Sequence, residues 1–125
     1  MGCGKAHISK HFKKDNRFEF INYDHVAIDE TVEVADISKL PLEDDSVEIC
    51  ILSLSMWGSN CEEYITEAHR VLETNGTLYI IEPTKRWTSE NGEPSDRLRD
   101  LIIKFKFKII QETVEKFTMI KAIKV

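Results

Sequence analysis

Along residues 61–76 the apolar positions recur every three or four residues. Tyr64, Ile65, Ala68, Val71 and Leu72 make one stripe with polar and charged residues between them, and this period predicts an amphipathic helix. Asn60 and Glu63 stand at capping-box spacing at its start, and Asn75-Gly76 supplies a stop. Before it, VEICILSL at 47–54 is apolar on both faces after its first residues. Such a run predicts a strand covered by helices on both sides, and it is expected in the middle of a sheet. Thr77 to Ile81 repeats that character directly after the helix.

The rest of the chain alternates in the same way. Residues 5–14 (KAHISKHFKK) place Ile8 and Phe12 four apart, a short amphipathic helix, and 18–23 (FEFINY) and Val32 to Ala35 read as strands. Pro41 and the acidic cluster of DISKLPLEDDS mark a loop. A helix is expected around 95–105 with Leu98, Leu101, Ile102 and Phe105 inward, then two antiparallel strands at about 107–113 and 117–124. Strands alternating with helices define an α/β domain, residues 1–125, with a mostly parallel sheet and a C-terminal antiparallel hairpin. Ligands of such sheets bind beyond the carboxyl ends of the strands. That rule gathers Gly2, Gly4, Asp24, Asp36 and the segment from Ser53 to Asn60 on one edge.

Composition changes this picture little. A chain of 125 residues, 42% hydrophobic and 31% charged, suits one domain. The sequence predicts no membrane span and no secretory leader. Cys3, Cys50 and Cys61 are odd in number and contain no Cys-x-x-Cys pair, so they read as reduced thiols rather than a disulfide framework or a zinc site. Charge is more informative. Residues 1–82 carry 7 Lys and Arg against 16 Asp and Glu, a net −9, whereas 83–125 carry 10 against 6, a net +4. The C-terminal third is the part suited to face an anion. Lys104, Lys106 and Lys108 alternate with Phe105 and Phe107, a pattern that fits a nucleic-acid surface and also fits a half-buried strand or helix end.

The opening MGCGKAH carries a Gly-x-Gly turn at Gly2 and Gly4. Glycines there let the backbone bend sharply and approach a ligand, although a plain tight turn uses them too. Asp24 lies 22 residues beyond Gly2, near the offset at which a carboxylate accepts hydrogen bonds from a ribose diol. The third glycine of a dinucleotide fingerprint would fall on His7, so close packing around a pyrophosphate is not encoded, and a nucleoside ligand without phosphates fits better. S-adenosyl-L-methionine is such a ligand, with an exocyclic amine that Asp36 could meet. His7 and His11 are spaced i, i+4, but the Glu of His-Glu-x-x-His and a third ligand are lacking, so no metal site is expected. Trp57 suits base stacking or core packing, and Asn60 suits a helix cap.

Taken in order, GCG, LPLEDDSVEICILSLS, EAHRVLETNGTLYIIEP and the final hairpin resemble the class I S-adenosylmethionine-dependent methyltransferases, whose fold is Rossmann-like. Within that class LSMWGSN (54–60), EAHRVL (67–72) and Glu82, Arg86 and Trp87 resemble the ribosomal RNA-processing protein 8 family, also called nucleomethylin. The resemblance implies cofactor contacts at Gly2 in the glycine loop, Asp24 at the ribose, Asp36 and Ile37 beside adenine, and Ser53 at the strand end. Ile37 replaces the family's usual Met and Ser53 its usual Cys, which keep an apolar wall and a small polar group. It also implies an acceptor pocket bordered by Ser55, Trp57 and Asn60, with Arg86 steering phosphate, and N1 of an adenine in ribosomal RNA as acceptor. The nucleus and nucleolus are the implied location, with chromatin or nucleolar proteins as partners. In the family a strand feeds the glycine loop and an upstream helical segment covers the cofactor, so Met1 is expected to stand at an internal position of that pattern, with the first strand missing.

Two functions follow. One is methyl transfer from S-adenosyl-L-methionine to ribosomal RNA, for which the residues name no general base. The other, drawn from the missing strand, is a truncated, non-catalytic domain that serves as a binding or chromatin-associated scaffold. A nucleotide-dependent oxidoreductase is disfavoured by His7.

Overall fold

The computed structural model describes residues 21–24, 32–35, 37–53, 61–87 and 97–125. The predicted helix at 5–14, the first part of the 18–23 strand, Gly2, Gly4, His7, His11, Asp36 and all of 54–60 lie outside the described residues.

The predicted helical stripe becomes α1, Cys61–Val71, and Tyr64, Ile65, Ala68 and Val71 are all buried along it. Acidic Glu62 and Glu63 occupy its first turn and basic His69 and Arg70 its last, which complements the helix dipole. The chain then enters a strand at once. Asn75-Gly76, expected to stop the helix, instead forms a bulged turn inside that strand, Leu72–Pro83, where Asn75 takes a φ of 66°. The pairing shows why: Val47 faces Leu72 while Ile49 faces Thr77, so residues 73–76 loop out. A Cβ on Gly76 would sit 2.7 Å from the Glu73 carbonyl oxygen and 3.2 Å from that of Glu48, so only glycine fits the turn.

The strands fall into two sheets. β1 (Asn22–Asp24) and β2 (Val32–Val34) run parallel, with Asp24 opposite Val34. β3 (Val47–Ser53) pairs in parallel with β4 (Leu72–Pro83). Beyond them β5 (Phe107–Val114) and β6 (Phe117–Lys124) form the expected hairpin, and the order across the sheet is β3-β4-β6-β5. β6 is antiparallel to both of its neighbours. Parallel and antiparallel pairings are therefore equal in number among the described strands, because the hairpin's second strand, not its first, joins β4.

β3 stands at the end of the four-stranded order rather than in the middle of a sheet. Its residues alternate accordingly: Cys50 and Leu52 are buried, while Ile49 is 47% exposed.

One face of the four-stranded sheet holds the core. Cys50 and Leu52 of β3, Leu78 and Ile80 of β4, and Ile120 and Ala122 of β6 cluster there with the stripe of α1. α2 (Arg97–Lys104) adds Leu98 and Ile102, with Leu101 and Phe105 packed at the margin, as the spacing predicts. It ends where Lys106 adopts a φ of 67° and donates its amide to the Ile103 carbonyl at 3.1 Å. Phe107 then turns inward while Lys104, Lys106 and Lys108 stay exposed. The lysine–phenylalanine alternation is thus a helix end, a turn and a half-buried strand in succession. Burial pushes the Cys50 thiol up to about 11, which keeps it protonated at neutral pH and rules it out as a nucleophile.

Candidate functional site

Parallel strands aim their carboxyl ends at one edge, and the described part of that edge can be assembled residue by residue. Asp24 is the last residue of β1, and Val34 the last of β2. Ile37, three residues further, is 2% exposed and belongs to the core cluster. Ser53 ends β3, half-buried, opposite Ile81 of β4. Asp24 and Ser53 are thus the last residues of their strands, and Ile37 lies in the turn that follows β2. Arg86 lies in the 3-10 turn Thr84–Trp87 that leaves β4, with its side chain outside the described residues. Gly2, Gly4, Asp36, Ser55, Trp57 and Asn60 are likewise not described.

At the end of β4 the structure adds residues that carried no assigned role in the sequence analysis. Glu82 shares the core face with Leu78 and Ile80, lies opposite Thr118 of β6, and is fully buried. Thr84 bonds the hairpin turn: its amide donates to Lys116 O at 3.1 Å, its hydroxyl donates to Glu115 O at 2.6 Å, and its Oγ1 lies 2.8 Å from Thr118 Oγ1. Trp87 packs against the core from the 3-10 turn, and the Arg97 guanidinium stands 5.7 Å from its ring centroid. A carboxylate directly after the apolar run Leu78–Ile81 was the available signal for Glu82; its burial depends on β6, 36 residues later.

A second group of polar side chains fixes the loop between β2 and β3. Arg70 of α1 uses all five of its N–H donors. Nε donates to Glu67 Oε2 at 2.9 Å, Nη1 to Leu42 O and Asp44 Oδ1, each at 2.8 Å, and Nη2 to Leu40 O at 3.2 Å and to Glu67 Oε1. Glu67, itself buried, also accepts the Leu40 amide at 2.8 Å. The Arg70 hydrogen bond holds the Glu67 carboxyl below the usual carboxylate range, against the opposing effect of its burial. The backbone closes the same junction, with Asp45 N donating to Arg70 O and Ser46 N to Val71 O. Glu67 flanks the apolar stripe of α1, and Arg70 follows at i+3, so the pair was visible in EAHRVL. Its target lies 26 to 30 residues earlier in the chain.

Carboxyl-end acidic and hydroxyl groups on parallel strands, a helix packed on one sheet face, and an inserted antiparallel strand together define the fold class of the S-adenosylmethionine-dependent methyltransferases. A solved methyltransferase of that kind from Methanosarcina mazei superimposes with a TM-score of 0.64 at 17% identity, covering 75% of this chain and 66% of the other. The family model described as "Hypothetical methyltransferase" matches residues 1–125, and the chain belongs to that family. Among curated relatives it is 35% identical over 128 residues to ribosomal RNA-processing protein 8 of Caenorhabditis elegans, covering 93% of this chain and 37% of the relative. It is 34% identical over 93 residues to the 25S rRNA (adenine(645)-N(1))-methyltransferase of Schizosaccharomyces pombe, covering 74% of this chain and 29% of that one. The chain therefore spans about a third of the length of these two relatives.

Proposed function

We propose that this chain is a methyltransferase domain that moves a methyl group from S-adenosyl-L-methionine to ribosomal RNA, at N1 of an adenine. The observation that carries the proposal is the match of a methyltransferase family model to residues 1–125, supported by Asp24 at the carboxyl end of β1 and Ser53 at the carboxyl end of β3. Relatives named for adenine-N1 methylation of 25S rRNA support the acceptor, and their names favour methyl transfer over the scaffold reading.

The residues present fit the cofactor. Asp24 would accept the ribose hydroxyls, Asp36 and Ile37 would border the adenine, and Ser53 would supply a small polar group at the end of β3. Bound there, the sulfonium brings an already activated methyl, so the protein's task is alignment and exclusion of water rather than proton abstraction. Adenine N1 attacks with a lone pair and carries no proton to remove, which agrees with a site that names no general base. Ser55, Trp57 and Asn60 would border the acceptor, with Arg86 and the exposed Lys85 on the phosphate side. The same reading places the protein in the nucleus and nucleolus.

The test is transfer of labelled methyl from S-adenosyl-L-methionine to ribosomal RNA, with the product nucleoside identified by mass spectrometry. N1-methyladenosine is expected. Labelled RNA carrying the methyl on another base would overturn the acceptor, and no labelling would overturn the activity of this chain.

A further inference from the structure

β1 and β2 belong to a different sheet from β3, and the described residues that precede β3, 37–46, hold no helix. A loop without regular structure is a poor support for a binding wall. Its end is tied to α1 by the Asp45 and Ser46 amides, and two anchors hold its earlier part. Ile37 enters the core, and three residues later the backbone of Leu40 is taken at both its amide and its carbonyl by Glu67 and Arg70. Arg70 also holds Leu42 O and Asp44, so one guanidinium fixes three residues of the loop while Glu67 fixes the guanidinium.

We propose that Arg70 and Glu67 are positioning residues for the cofactor: through Leu40 and Leu42 they hold the segment at 37–40, where Ile37 would border the adenine. This rests on the methyltransferase reading above. The pair touches neither cofactor nor acceptor; it acts by preorganising the segment that does. A lysine at position 70 keeps the positive charge but cannot reach five acceptors, because an ammonium is a point donor and a guanidinium a planar fork. A glutamine at position 67 keeps a carbonyl oxygen for the Leu40 amide but loses the charge and, with an NH2 in place of Oε2, the acceptor of the Arg70 Nε–H.

The experiment uses the whole 125-residue chain. S-adenosylhomocysteine affinity is measured by calorimetry for wild type, Arg70→Lys, Glu67→Gln and Ile102→Val, the last a core variant on α2 that leaves the Arg70 and Glu67 hydrogen bonds intact and controls for loss of stability. Amide hydrogen exchange at Leu40 is followed in the same set without ligand. Arg70→Lys is expected to weaken binding about tenfold or more and to speed exchange at Leu40. Glu67→Gln should fall between it and wild type, and Ile102→Val should bind as wild type does despite a lower melting temperature. Affinity of Arg70→Lys within twofold of wild type, unchanged exchange at Leu40, or an equal loss in Ile102→Val each overturns the assignment. If wild type binds no S-adenosylhomocysteine, the methyltransferase reading falls and takes this one with it, an outcome distinct from wild-type binding with unaffected variants.

Discussion

Glu82 on β4 and Thr118 on β6 are register partners across an antiparallel pairing, and both are buried. Thr118 is in turn 2.8 Å from Thr84 Oγ1, and Thr84 commits its only hydroxyl proton to Glu115 O at 2.6 Å. Thr118 is therefore the donor of the pair. Replacing it with valine leaves Thr84 without that donor and places a methyl beside the Glu82 carboxylate. Thr118→Val should destabilise the protein by about 1–3 kcal/mol and Thr118→Ser by much less, which denaturant melts will measure. Equal melts for the two variants would remove the hydroxyl from the argument.

Asp24 ends β1 at the ligand edge. If it receives the ribose hydroxyls, Asp24→Ala should weaken S-adenosylhomocysteine binding by about 1–3 kcal/mol, the cost of an unmatched polar partner. Calorimetry of the pair decides it, and an unchanged dissociation constant takes Asp24 out of the site.

Gly76 admits no side chain without movement of backbone oxygens, since a Cβ would lie 2.7 Å from Glu73 O. Gly76→Ala should cost about 1–3 kcal/mol by overpacking, against the gain that removing a glycine from the unfolded chain normally brings. A melting temperature at or above wild type contradicts the bulged turn.

His69 stands at the end of α1 with its ring edge-on to Phe107, 5.2 Å between centroids. Burial first, then the charges of Lys124 and Lys106, holds its imidazole below the usual value of 6.5. The folded state thus favours the neutral ring. Below 6.5 the unfolded chain binds the proton more readily, so stability is complete above that pH and declines as pH falls toward the depressed value. Thermal melts across this range should show the decline, and His69→Gln should reduce its slope.

Glu67 gives the same sign in more acid solution. Its carboxyl is held below the ordinary value of 4.5, chiefly by the Arg70 hydrogen bond, so its contribution is present above 4.5 and lost as pH falls through the lowered value. Glu67→Gln should flatten the acid limb of the stability profile.

What could be read along the chain was whatever depended on neighbours in sequence. The stripe from Tyr64 to Val71 announced α1 and its buried face, and the inward set Leu98, Leu101, Ile102 and Phe105 announced α2, because helical period needs no partner to be visible. The hairpin was legible for the same reason. Three features were not. Asn75-Gly76 looks the same whether it stops a helix or bulges a strand, and only the register against Val47 and Ile49 separates the two. The apolar run of β3 gives no sign of its place in the sheet, since that depends on which strands pair with it. EAHRVL shows Glu67 and Arg70 at i, i+3 but not what they hold; their backbone partners at Leu40 and Leu42 come from a stretch that composition marks only as loop. At the site, strand ends could be placed by topology, whereas the burial of Glu82 required β6 across from it.

The order β3-β4-β6-β5 also bears on how the chain is made. β5 emerges from the ribosome before β6, yet it has no place in the sheet until β6 has bonded to β4. During synthesis, α2 and β5 must wait beside a β3–β4 pair whose far edge is open to other strands.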